Sequence, residues 1–492
     1  MPAADGDRRV FRHMGLSGRW RTLLLLWLAW LVSAAAAHAH GAERGLVMLL
    51  PTGYSLVGGG VAVAATFLAL AIVPDAWFRR AETARLDLVP AVPVSRAGLS
   101  LVSTIVLLVL IVAGFTATAD PLTNPLPLVV WTFWWVGFTL AQAVFGNLWA
   151  WFNPWTGFLA LLRLLTGTQI GIRPLAGIFA GRGYGPAIGL FFLFAWYELV
   201  SLSPEDPAQL AVVVAVYWAF TLAMMVLFGE KSWAERGEPF SVFFRMVGML
   251  APVVVTTGDD GRTRIGLVWP GQRCLDAAPL PLSGILFILL TLGSASFDGF
   301  SETFTWLGFI GVNPLEFPGR SAVTLANTLG LVAAPALLSL LFLAAVGFGA
   351  VLAGERSARR ILKIAGHLVY SIIPISIAFH GAHYLTMMLV NGQYLWAMLS
   401  DPFALGWNLF GTADWHVTAS FTSNLDSVRY IWAAQTAIIV GGHVVGIVLA
   451  HIIALRYFPT PLKAAVSQSG LAAVMVFYTV FGLWLLSTPT VG

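Results

Sequence analysis

Charge is what this 492-residue sequence has least of: Asp, Glu, Lys and Arg together make up 10% of it, while apolar residues make up 58% and mean hydropathy is +0.82. A soluble chain cannot hide that composition in its core, so the protein reads as an integral membrane protein. The net charge of +4 then bears on topology and not on nucleic acid. Cysteine occurs once, as Cys274, which excludes an internal disulfide and any multi-cysteine zinc site. A metal would have to be held by His, Asp and Glu, donors that suit zinc, iron, copper or manganese without choosing among them. Glycine-rich phosphate loops, heptad runs and a convincing internal repeat are also missing.

What is present begins with a basic segment (Arg8, Arg9, Arg12, Arg19, Arg21), an apolar run from Leu23 to Val32, and then S-A-A-A-A-H-A-H-G. This is the pattern of a signal peptide over residues 1–39, with Met14 as an alternative start. Cleavage after Ala39 leaves His40 as the mature amino terminus, where amine and ring together can chelate a metal, although a histidine beside a cleavage site is commonly incidental.

Residues 40–492 then read as a single all-α transmembrane domain. Segments long enough to cross about 30 Å at about 1.5 Å per residue fall near 52–74, 98–118, 127–147, 186–202, 208–228, 282–303, 323–353, 364–398, 428–453 and 465–487, ten in all. Of the 27 basic residues, five belong to the signal, nineteen fall in loops on one side, and Arg44, Arg320 and Arg429 fall on the other. That bias predicts a multi-pass protein of the bacterial inner membrane with both mature termini outside. Between spans, the segment from Asn153 (N-P-W-T-G-F-L-A-L-L-R-L-L) and that from Glu238 (E-P-F-S-V-F-F-R) read as helices lying in the inner interface. Residues 257–261 read as a turn before a strand-like R-I-G-L-V-W. The abundant Trp and Phe fit interfacial belts and lipid-facing surface.

Chemistry must come from ionisable residues inside the bilayer, which are costly there. Glu198, Asp298, His367, His380, His383 and His443 qualify. His380 and His383, three apart, are expected on one helix face, with Pro374 kinking the helix below them and Gly381 admitting a neighbour. His443 is expected at matching depth, so His380, His383 and His443 form a candidate metal set. Asp298, after a G-S-A-S run that suggests an interrupted helix, and Glu198 are the candidate catalytic carboxylates. A single buried histidine is otherwise a helix-to-helix hydrogen bond, the reading preferred for His367 and His451; Glu198 and Asp298 have the parallel reading of helix caps, and His416 that of a solvated loop residue.

The segments WTFWWVGFTLAQAVFGNLWAWFNPW, GEPFSVFFRMVGMLAP, SASFDGFSE and SDPFALGWNLFGTAD resemble those of polytopic bacterial membrane proteins of the fenitrothion hydrolase family. The resemblance runs from the H-A-H-G of the mature amino terminus to L-W-L-L-S near residue 487. It implies cleavage of an organophosphorus aryl ester and brings no assigned catalytic residues. Such a reaction calls for a Lewis acid and an activated water, which a divalent transition metal on His380, His383 and His443 supplies, with Asp298 or Glu198 completing the shell or acting as base on a small apolar substrate. The opposing readings are a metal-ion or proton-coupled transporter or channel, and a membrane subunit without enzymatic activity.

Overall fold

The computed structural model describes residues 50–73, 77–78, 82, 84–90, 94–168, 170, 183–257 and 263–490. The expected signal peptide, His40 and most of the 257–261 turn lie outside the described residues. In chain order the main elements are α1 (Thr52–Leu70), β1 (Arg85–Pro90), α2 (Arg96–Thr116), α3 (Pro125–Phe145), α4 (Thr156–Thr166), α5 (Gly185–Leu199), α6 (Pro207–Phe228), α7 (Glu230–Arg236) and α8 (Pro239–Val247). They continue with β2 (Val253–Thr257), β3 (Thr263–Val268), α9 (Leu282–Ser301), α10 (Arg320–Leu352), α11 (Ala358–His383), α12 (Leu385–Ser400), α13 (Leu425–Tyr457) and α14 (Ser469–Ser487).

Several helices start where the sequence supplies a side-chain cap. Ser95, Asn124, Asp206, Ser357 and Asn424 each accept a hydrogen bond from a first-turn amide, and Pro occupies the first turn of α3, α6 and α8. Among the described residues nine helices are long and apolar enough to cross a membrane. Helix α5, the fourth expected span, has 15 residues; at about 1.5 Å per residue it falls short of the roughly 30 Å hydrocarbon thickness. The helical bundle expected from the sequence therefore forms, with one segment shorter than a full crossing. The strand-like stretch is β3, the centre of a small antiparallel sheet in the order β1-β3-β2, with Arg85 opposite Val268 and Val253 opposite Leu267.

Lipid tails are as apolar as Leu, so helices in a bilayer pair chiefly through close van der Waals packing, which small residues allow. Helices α11 and α13 do this through Gly442 and Gly446. A Cβ at 442 would lie 2.3 Å from the Ala378 Cβ and 2.7 Å from the Pro374 carbonyl, and one at 446 would lie 2.7 Å from the Ser371 carbonyl. Gly381, expected to admit the neighbour, sits at ordinary contact distance, its Cβ position 3.4 Å from Leu140. Pro374 falls in the first turn of the α-helical stretch Ile373–His383, just after a 3-10 turn over Val369–Ile372, so the winding changes where the proline ring removes a donor.

Two further expectations are corrected by packing. The G-S-A-S run does not interrupt α9: the helix runs unbroken to Ser301, with the Ser294 and Ser296 hydroxyls bonded back to the Thr291 and Leu292 carbonyls. The segment from Glu238 is not a surface helix: Phe240, Phe243 and Phe244 of α8 are buried, packed edge-on or tilted against Trp134, Trp135 and Phe191. Glu238 itself is fully buried at the N-terminus of α8, accepting from the Phe240 and Ser241 amides, the Trp149 indole and the Tyr217 hydroxyl. An anion at that end satisfies orphan amides and complements the helix dipole, which is why a carboxylate is tolerated inside.

Candidate functional site

The polar side chains gather where α5, α9, α10 and α11 end or begin. Helix α11 stops at His383, and Tyr384 has φ −87° and ψ 4°, outside helical values, before α12 starts at Leu385. A break inside an apolar bundle frees backbone groups, and Gln435 of α13 satisfies one of them by donating to the Ala382 carbonyl at 2.9 Å. At the break the side chains of His383 and Tyr384 reach α9 and α5. His383 Nε2 lies 3.0 Å from Asp298 Oδ2, and the Tyr384 hydroxyl lies 2.7 Å from the same oxygen and 2.9 Å from Glu198 Oε1. Glu198, Asp298, His383 and Tyr384 thus form one connected cluster.

Its surroundings fix it in place. Arg320, at the start of α10, donates to the carbonyls of Glu198 (3.0 Å) and Ser201 (3.1 Å), so this arginine caps the end of α5 and holds the Glu198 backbone. Asp298 is buried, whereas the His383 side chain keeps 27% of its surface exposed. A Cβ at Gly299 would stand 3.6 Å from His383 Nδ1, so the glycine borders that edge of the ring without a side chain against it. The Tyr384 hydroxyl has one proton to share between two carboxylate oxygens, one on Asp298 and one on Glu198.

His380 and His443 go elsewhere. Three residues on a helix turn the side chain by about 300°, so His380 and His383 diverge by roughly 60° and meet different neighbours. His380 Nε2 donates to the Trp135 carbonyl at 3.0 Å, in the π-helical stretch Leu128–Phe138 of α3, and its ring lies edge-on to Trp135 and Tyr384. His443 Nδ1 donates to the Ile439 carbonyl of its own helix at 2.8 Å; its buried Nε2 has no protein partner, and Phe379 packs beside the ring. Among the described residues no three His, Cys, Asp or Glu side chains come together as a group able to hold a metal. The expected set of His380, His383 and His443 is divided among three environments, so the residues present do not fit a three-histidine centre.

His367 bridges the Leu275 carbonyl and the Tyr457 hydroxyl, and His451 meets Gln468, both helix-to-helix contacts as expected; His416 is exposed. Sequence reasoning missed Tyr384 and Arg320. The signal for Tyr384 was its position directly after the second histidine of H-G-A-H-Y; Arg320 was noticed only as an exception to the charge bias. The abundant tryptophans are not all lipid-facing, since Trp135, Trp149, Trp155 and Trp233 are buried. No protein-family model, curated protein or solved structure matches the chain.

Proposed function

We propose that this protein is a membrane-embedded hydrolase of an apolar ester, with Asp298 and His383 as its base pair and Tyr384 and Glu198 as the adjoining proton store. The observation that carries the reading is the connected contact of His383 with Asp298, and of Tyr384 with both Asp298 and Glu198. The resemblance to the fenitrothion hydrolase family supports an organophosphorus aryl ester as the substrate class. Asp298 accepts from His383 Nε2–H, fixing the tautomer that leaves Nδ1 basic at the edge beside Gly299. Nδ1 takes a proton from water as the water oxygen bonds to phosphorus and the phosphorus–aryloxide bond breaks. The same proton then passes to the departing oxygen, directly or through Tyr384, so ester and water become acid and phenol.

The test is release of nitrophenolate from an aryl phosphorothioate by the purified protein in nanodiscs. Turnover that falls by about a hundredfold or more in His383→Ala and Asp298→Asn matches loss of general-base catalysis. No turnover by the intact protein, or turnover indifferent to both changes, overturns the proposal. A second reading, proton-coupled transport, draws on the phenol shared by two carboxylates, a unit suited to passing protons at a helix break. Proton flux into proteoliposomes that disappears in Tyr384→Phe, without ester turnover, selects it.

A further inference from the structure

The short end of the bundle that carries most of the basic residues holds a cavity of about 550 Å³. It lies opposite the acid–base cluster: Arg320 ties the cluster to Ser201 just before α6, whereas the cavity is built around the far end of α6, the start of α2, and helices α4, α7 and α8. Its ionic lining is Arg96, Arg163, Glu230, Lys231, Glu235 and Arg245. Four cations face two carboxylates, leaving a surplus of two positive charges.

The pairing shows which charges remain available. Arg163 and Glu230 meet at 2.8 Å, and Lys231 stands 3.9 Å from Glu235. Arg245 is anchored by neutral acceptors, the carbonyls of Ala234 (3.4 Å) and Glu235 (2.7 Å), and Arg96 lies over the Trp151 ring at 4.6 Å. Neither arginine has a carboxylate partner among the described residues. Both are held by groups that carry no opposite charge, and both line the one cavity. A planar guanidinium in that state presents a fork of N–H donors that can bond two oxygens of a tetrahedral phosphate at once. Leu164 and Leu165, which follow the lining residue Arg163 on the last turn of α4, are 79% and 73% exposed, giving an apolar surface on the same helix.

We infer that this cavity is a phosphate-binding site, read by Arg96 and Arg245, for a phosphate carried on an anionic lipid headgroup or free in solution. The neighbouring leucines are where the acyl chains of a lipid would lie.

Thermal unfolding of the purified protein in detergent tests this with three probes: phosphatidylglycerol, inorganic phosphate and diacylglycerol. Stabilisation by phosphatidylglycerol but not by diacylglycerol is expected, with affinity falling about tenfold in Arg96→Gln and again in Arg245→Gln, as for loss of one charge-assisted hydrogen bond each. Inorganic phosphate that displaces the lipid effect and stabilises by itself assigns the site to the free ion; phosphate without effect assigns it to the headgroup. Arg96 is exposed and caps nothing, so Arg96→Gln remains informative if Arg245→Gln does not fold. Equal stabilisation by diacylglycerol, or unchanged phosphate and lipid affinity in Arg96→Gln, overturns the inference.

Discussion

His383 Nε2 and the hydroxyl of the next residue, Tyr384, meet one oxygen of Asp298, at 3.0 and 2.7 Å. Two donors on adjacent residues reach the same acceptor only because α11 ends between them. Tyr384→Phe removes the link between Asp298 and Glu198 while leaving the His383–Asp298 pair. Activity should fall less in this variant than in His383→Ala, by about tenfold against a hundredfold, because positioning is lost but the base is kept. Equal losses would place the base function on Tyr384.

Gly299 borders His383 Nδ1, and a Cβ there would stand 3.6 Å from it. Gly299→Leu is expected to lower ester turnover while the melting temperature stays within a few degrees of the parent. Full activity in that variant would mean that water does not approach along this edge.

His443 offers the contrary case. A buried acceptor with no partner costs about 1–3 kcal/mol, and the Ile439 carbonyl already belongs to its own helix. His443→Leu should therefore leave the fold at least as stable and the activity unchanged, measured by thermal unfolding and turnover. A marked loss of either would restore a ligand role to this residue.

The α11–α13 contact has no room at Gly442, where a Cβ would overlap Ala378 and the Pro374 carbonyl. Gly442→Val should cost about 3 kcal/mol or more, beyond ordinary overpacking because one obstacle is backbone, and show as loss of monodisperse protein on extraction. Gly381→Ala, at ordinary contact distance, should be tolerated.

Cys274 is fully buried on the short helix Gln272–Asp276, and burial pushes its thiol up to about 12. At neutral pH it should resist maleimide until the protein is unfolded. Since the unfolded thiol ionises first, the folded state loses stability as pH rises from about 9 toward 12, and Cys274→Ala should remove that part of the alkaline decline. Rapid labelling of the native protein at pH 7 would contradict the burial.

The sequence by itself determined the class and the element map. A composition with so little charge leaves helices that satisfy their own backbone as the economical way through a bilayer, and most expected segments coincide with observed helices to within a few residues, except that 364–398 is two helices divided at Tyr384 and 186–202 is a helix of 15 residues. It also located Asp298, Glu198 and His383, because an ionisable residue in an apolar run is conspicuous without any structure. Partnership was decided only by the tertiary fold. Spacing of three suggested that His380 and His383 act together, but their angular offset and the helix end at Tyr384 send one to a π-helix carbonyl and the other to a carboxylate 85 residues earlier in the chain. Depth matching carried no information on the direction of the His443 ring; the Gly442 and Gly446 approach sets that, through contacts that a linear pattern does not carry. Likewise Glu238 reads as one more interfacial acid, and becomes a buried cap once Tyr217 and Trp149 close over it.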